Sequence, residues 1–278
     1  MAKLRISAIS YLNTAPLMWD FEHGEVGSEF DVTYTLPSEC ALALQQGRAD
    51  IGIIPAAAYL LLPDLDILPG VAIASRRPVR SILLVSRVPV EKIRSVGMDT
   101  SSMTSVALTK VLFHQWGMPD VDYAPMAPDI DRMLAKHDAG LLIGDPALKI
   151  DRSQFVTYDL AEEWIRLTGK PFVFAFWAIR RGALQSGRYG SDLATIFQDS
   201  RDHGLLPENV SFIAREWSPR IGLSESDVKE YLTKNIYYWL DTGCLEGMKL
   251  FYRYAEECGA LPHAKDLHFL DISKALSK

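Results

Sequence analysis

Apolar residues in this chain alternate between short, nearly unbroken runs and longer stretches where they recur every three or four positions. The short runs, bounded by Gly, Pro, Asn or Asp, read as strands covered on both faces. The wider spacing reads as amphipathic helices. Strands are expected at residues 4–9, 30–36, 49–55, 71–74, 80–86, 93–98, 121–123, 139–144 and 172–180. Helices are expected at 37–46, stopped by Gly47, then from 56, up to Trp116, at 128–136, 184–203 and 207–217, from a capped start at Ser224 with Asp227, and at 243–258. No element is assigned to 149–171, and there is no internal repeat or low-complexity linker.

The run at 172–180, rich in aromatics and β-branched residues, is taken as a return crossing between two lobes, and the run ending at Ser86 as the outward one. This layout builds a first lobe from residues 1–86 and 180–278 and inserts a second, 87–179. A cleft between lobes follows, and such interfaces are preferred places for small ligands.

The chain is organised around Asp99-Thr100-Ser101-Ser102-Met103-Thr104-Ser105, placed between an expected strand and an apolar-faced helix carrying Ala107, Leu108, Val111 and Leu112. The free N–H groups and positive dipole end of a helix start favour an anion, and short hydroxyls add donors without blocking its approach. Ser101, Ser102, Met103 and Thr104 are therefore candidates to hold a carboxylate. Ser, Thr and Asp are also the usual N-caps, which need no ligand. Five hydroxyls among residues 100–105 exceed what a cap uses.

Other candidates follow the rule that ligands sit outside the carboxyl ends of strands. Tyr11 and Asn13 follow the first strand; they offer a phenol and an amide to a ligand, or Asn13 or Thr14 caps a helix with Pro16 in its first turn. Pro55 and Ala56 lead into Ala57 and Ala58, whose small side chains admit either a ligand or a closely packed helix. Ser86 lies near the cleft if its strand crosses between lobes, and otherwise simply ends that strand. Asp145 can orient a hydroxyl or donate a proton, or can cap the helix that Pro146 begins.

Composition narrows the function. The 278 residues suit two lobes of ordinary size, and 48% apolar with 23% charged residues is globular usage. A net charge of -6 with no Lys/Arg block disfavours nucleic acid. The apolar stretch 51–62 is too short for a membrane span and is broken by Gly52 and Pro55. The N-terminus lacks the apolar core of an export signal, so a cytoplasmic location is expected. Three cysteines (Cys40, Cys244, Cys258) and six histidines show no metal-ligand spacing, and phosphate-loop, dinucleotide and serine-hydrolase motifs are absent. Neither metal nor cofactor is expected.

Residues 5–17 (RISAISYLNTAPL) resemble the start of the chorismate dehydratases of the futalosine route to menaquinone. The runs 101–105 (SSMTS), 142–148 (LIGDPAL) and 171–177 (PFVFAFW) are similar to that family too, so the likeness spans nearly the whole chain. The resemblance implies a two-lobed periplasmic-binding-protein type II fold used as an enzyme, converting chorismate to 3-[(1-carboxyvinyl)oxy]benzoate and water. It implies roles for Asn13 and Ser86 near the reacting ring, with residues 102–104 on a carboxylate. The substrate's enolpyruvyl carboxylate would take the ring proton, since no protein base is evident. Two other readings stay open: a sister enzyme acting on a cyclic futalosine-type substrate through a histidine, and a protein that binds a small carboxylate without chemistry.

Overall fold

The computed structural model describes residues 3–184 and 192–270. In chain order the strands are β1 (Leu4–Ile9), β2 (Phe30–Thr35), β3 (Ile51–Pro55), β4 (Leu65–Ser75), β5 (Ile82–Ser86), β6 (Ser95–Asp99), β7 (Asp122–Met126), β8 (Ala139–Ile143), β9 (Val156–Asp159) and β10 (Phe172–Arg180). They form two five-stranded sheets, ordered β2-β1-β3-β10-β4 and β7-β6-β8-β5-β9. Each sheet has a parallel triad whose first strand is central. Each adds a strand antiparallel to the triad, β10 in one and β5 in the other.

This topology corrects the expected crossings. β5 pairs with β8 from Ile82↔Ile143 to Ser86↔Ala139, wholly within the second sheet. β10 lies between β3 and β4, wholly within the first. Sheet membership therefore changes at residues 76–81 and 169–171 rather than at 86 and 180. An apolar run of nine residues keeps its backbone paired inside one sheet, and polar or turn-forming residues make the passage.

The helices are α1 (Trp19–His23), α2 (Pro37–Gln45), α3 (Ala56–Leu61), α4 (Thr104–Gln115), α5 (Ile130–Leu134), α6 (Gly144–Leu148), α7 (Leu160–Thr168), α8 (Asp192–Gly204), α9 (Pro207–Ile221), α10 (Glu225–Glu230) and α11 (Thr242–Glu257). The helix expected at 184–203 appears as α8, and its portion at 185–191 lies outside the described residues. The apolar pattern assigned nothing to the stretch that forms β9 and α7. The signals there are local: Asp159 caps α7 by accepting from Ala161 and Glu162 N–H, and Gly169 at φ 68° ends it.

β10 shows why the first lobe holds together. Phe172 meets Phe251 of α11 at 5.0 Å and Phe176 meets Tyr59 of α3 at 5.8 Å on one face, while Trp177 meets Phe197 of α8 at 4.8 Å on the other. Burying each such side chain stabilises by roughly 1.5–3 kcal/mol. A strand sandwiched in this way is a rigid floor for whatever lies at its edge.

Candidate functional site

The parallel strands β1, β3, β6 and β8 end at Ile9, Pro55, Asp99 and Ile143. Residues at or just past those ends line one cavity between the sheets. Tyr11, Asn13, Pro55, Ser102 and Thr104, all expected from the sequence, are among its lining residues. Ile9, Pro37, Ile73, Ile82, Ser105, Ile143, Gly144, Phe174 and Ala175 complete it. The walls are apolar, the polar groups are hydroxyls and an amide, and among the described residues no charged side chain or histidine lines it. That composition suits a small organic ligand.

Asp99 sets the geometry of the hydroxyl-rich turn. It is fully buried; Oδ1 accepts from Ser101 N–H at 2.8 Å and Ser101 Oγ at 2.6 Å, and Oδ2 accepts from Ile143 N–H at 3.3 Å. Burial pushes its pKa up against those donors, so the carboxyl serves as a tie between the turn and β8. Ser102 Oγ accepts from Ser105 N–H at 3.1 Å and thus caps α4. A hydroxyl that accepts keeps its own proton to donate, so this bond does not use up Ser102 as a donor.

Several expected residues lie elsewhere. Ser101 Oγ is committed to Asp99 and lies 3.4 Å from the Tyr11 hydroxyl, behind the lining. Thr104 does line the cavity, and its hydroxyl accepts from Ala57 N–H at 3.1 Å and donates to Phe174 O at 3.0 Å, so it also joins the lobes. Met103 is half-buried against the core, and Ala56 backs the wall while its carbonyl accepts from Tyr252 Oη at 2.7 Å. Neither lines the cavity. Asn13 caps nothing: the 3-10 segment Leu12–Met18 begins at Tyr11 without a side-chain cap.

Ser86 is the clear correction. It is fully buried at the far end of β5, opposite Ala139, with Oγ donating to Val88 O at 2.8 Å and Asp138 O at 3.1 Å. Four residues along a strand place it roughly 13 Å from Ile82, which lines the cavity. Ser86 met its expectation only if β5 crossed between lobes, and β5 does not. The serine at the cleft end of that strand is Ser81, fully buried behind Ile82 and accepting from Tyr231 Oη at 2.8 Å. Its position before the same apolar run was legible; which end met the cleft was not.

Asp145 is neither a cap nor a lining residue. Its Oδ1 accepts from Leu12 N–H of the other lobe at 3.1 Å, and burial lifts its pKa to about 6 although that N–H and Lys149 pull it down. Ser38 N–H donates to Ser101 O at 3.2 Å, a second bond across the cleft. Gly144 permits the closest approach: its φ is +63°, and a Cβ there would lie 2.6 Å from the Tyr11 ring. These contacts join the lobes beside the cavity. Among the described residues no group of three or more His, Cys, Asp or Glu is arranged to hold a metal, and no helix is long and apolar enough to cross a membrane.

Fold and site together define a class: a two-lobed α/β protein of periplasmic-binding-protein type II architecture with a small-molecule cavity between its lobes. The periplasmic aliphatic sulphonate binding protein SsuA from Escherichia coli shares this fold, with a TM-score of 0.66 at 16% identity over 96% of each chain. A protein from Archaeoglobus fulgidus superposes with a TM-score of 0.68 at 18% identity, over 93% of this chain and 98% of that one. The chain belongs to the family described as menaquinone biosynthesis, whose model matches residues 4–257. Relatives named chorismate dehydratase are 28% identical, from Thermus thermophilus over 91% of this chain and 94% of that one, and from Campylobacter jejuni over 91% and 96%.

Proposed function

We propose that this chain is a carbon–oxygen lyase that dehydrates chorismate to 3-[(1-carboxyvinyl)oxy]benzoate in the futalosine route to menaquinone. The observation that carries the reading is the start of α4, with its Ser102 hydroxyl, set into a closed apolar cavity beside the Asn13 amide and the Tyr11 phenol. The family match and the names of the relatives support it. Chorismate is a dicarboxylate, and a helix start with spare donors suits one of its carboxylates without a lysine or arginine.

The chemistry asks little of the protein. The ring carbon bearing the ether loses a proton, its neighbour loses hydroxide, and the ring becomes aromatic. Water is the sole by-product and no net oxidation occurs, so no redox cofactor is needed. With no carboxylate or histidine among the described residues that line the cavity, the substrate's enolpyruvyl carboxylate serves as the base. The chain then contributes orientation and fixed donors: Ser102 and the first turn of α4 on a carboxylate, and Asn13 toward the departing hydroxide. Apolar walls exclude competing water. A cytoplasmic location goes with a substrate made and consumed inside the cell.

Incubating the purified chain with chorismate and following the product by mass tests the proposal. A species lighter by one water is expected; unchanged chorismate would leave a binding protein.

A further inference from the structure

Asn13 stands in a segment that its own lobe holds on either side of it. Before it, Ser10 N–H donates to Thr35 O at 3.0 Å, so the chain leaves β1 tied to the end of β2. After it, Ser200 of α8 donates from Oγ to Leu17 O at 2.9 Å and accepts from Asp20 N–H at 3.0 Å. The packing of α8 there is close enough that a Cβ on Gly204 would run into Pro16 O. Between these anchors lie Tyr11 and Asn13, which line the cavity. Within the segment Thr14 N–H donates to Tyr11 O at 3.0 Å, while Thr14 Oγ1 reaches Asn13 Oδ1 only at 3.4 Å, a long bond.

A helical start leaves its first N–H groups without partners inside the helix. The 3-10 segment Leu12–Met18 opens after Tyr11, whose side chain offers it no acceptor. Leu12 is fully buried, so its N–H must find a partner in the protein. That partner comes from the other lobe: Asp145 Oδ1 accepts it at 3.1 Å. Asp145 is placed in turn by the end of β8. Two residues earlier Ile143 N–H donates to Asp99 Oδ2 at 3.3 Å, and Asp99 Oδ1 holds the Ser101 turn. Gly144 N–H, between them, donates to Ser81 O at 2.8 Å. Residues 143–145 are thus tied on one side to the turn that carries Ser102 and on the other to the segment that carries Asn13.

We propose that Asp145 is a positioning residue: through the Leu12 N–H it sets the Asn13 side of the cavity at a fixed separation from the Ser102 side. This rests on the functional reading for what Asn13 does, while the tie itself does not. The carboxylate does not line the cavity, so its effect on a ligand passes through the backbone of residues 11–13. Without it that backbone keeps its anchors at Ser10 and Leu17 and loses the one between them. The Asn13 amide then drifts from the donors at the start of α4, and a misplacement of about 1 Å is enough to slow a reaction that depends on alignment.

The test compares Asp145→Ala, which removes the acceptor, with Asp145→Asn, whose amide oxygen can still take the Leu12 N–H. The dipeptide Tyr-Leu occurs three times, at 11–12, 59–60 and 231–232. Carbonyl-¹³C tyrosine with ¹⁵N leucine therefore isolates three backbone amides in the full chain, and Leu12→Met assigns the first. In Asp145→Ala the Leu12 amide should exchange with deuterium at least about tenfold faster while Leu60 and Leu232 keep their wild-type rates. In Asp145→Asn all three should stay within about threefold. A Leu12 rate unmoved in Asp145→Ala, or three rates raised together, overturns the proposal whatever the substrate proves to be. On chorismate, kcat of Asp145→Ala should fall at least about tenfold with KM within about threefold, and Asp145→Asn should recover most of the loss. Asp145→Ala as fast as an active wild type, or Asp145→Asn as slow as Asp145→Ala, overturns the proposal too. A wild-type chain inactive on chorismate whose Leu12 exchange follows the expected pattern sinks the functional reading and leaves the tie standing.

Discussion

The Thr104 hydroxyl, carried by the second lobe, accepts a hydrogen bond from the Ala57 N–H of the first at 3.1 Å and returns one to Phe174 O. One side chain thus satisfies two buried backbone groups across the cleft. Thr104→Val keeps the shape and removes both bonds. Each group left unpaired costs about 1–3 kcal/mol, so unfolding by urea should show a clear loss of stability, with Thr104→Ser restoring most of it.

Gly144 lies against the Tyr11 ring of the other lobe, with no room for a side chain. Gly144→Ala combines a side chain at φ +63° with a Cβ 2.6 Å from the ring. The strained backbone alone costs on the order of 1 kcal/mol, and the clash forces the lobes apart. Turnover of the substrate should fall at least tenfold while circular dichroism stays unchanged; a variant as active as wild type would show that the closed arrangement is not the working one.

Ser86→Ala should leave turnover within twofold, because the hydroxyl lies at the wrong end of β5. It should destabilise instead, by about 1–3 kcal/mol, since Val88 N–H loses its acceptor and the Val88 carbonyl its donor, while the Asp138 carbonyl keeps Arg87 N–H. Steady-state kinetics beside a denaturation curve separate the two outcomes.

The Asp145 carboxyl titrates at about 6 when folded against about 3.9 in an unfolded chain. The folded state holds this proton more tightly. The stability it confers is full below about pH 4 and is lost as pH rises through about 6. Asp145→Asn has no such proton, so its stability relative to wild type should improve between pH 4 and 7, as read from urea midpoints at a series of pH values. A difference that does not change with pH would show that the carboxyl is not buried in solution.

Most strands were legible because each is an apolar run ended by a turn residue, as at Ile51–Pro55 and Phe172–Arg180. The start of α4 was legible because hydroxyls crowd one turn. What the pattern withheld was direction and pairing. Ser81 and Ser86 bracket the same run, and only the antiparallel pairing of β5 with β8 decides which faces the cleft. Thr104 looked like a ligand donor because nothing local reveals that Ala57 and Phe174 meet it from the other lobe. β9 escaped because it is only four residues long; α7 carries a clear helical apolar spacing, with Leu160, Ala161 and Trp164 buried on one face, that the reading of the sequence did not assign.

The most direct measurement is a time course with wild type and Asn13→Ala in which both remaining chorismate and 3-[(1-carboxyvinyl)oxy]benzoate are quantified. The account predicts one product for each chorismate consumed by wild type, and a loss of at least a hundredfold in rate for Asn13→Ala at unchanged fold. Equal rates for the two proteins, or chorismate bound by wild type and recovered intact, would contradict it.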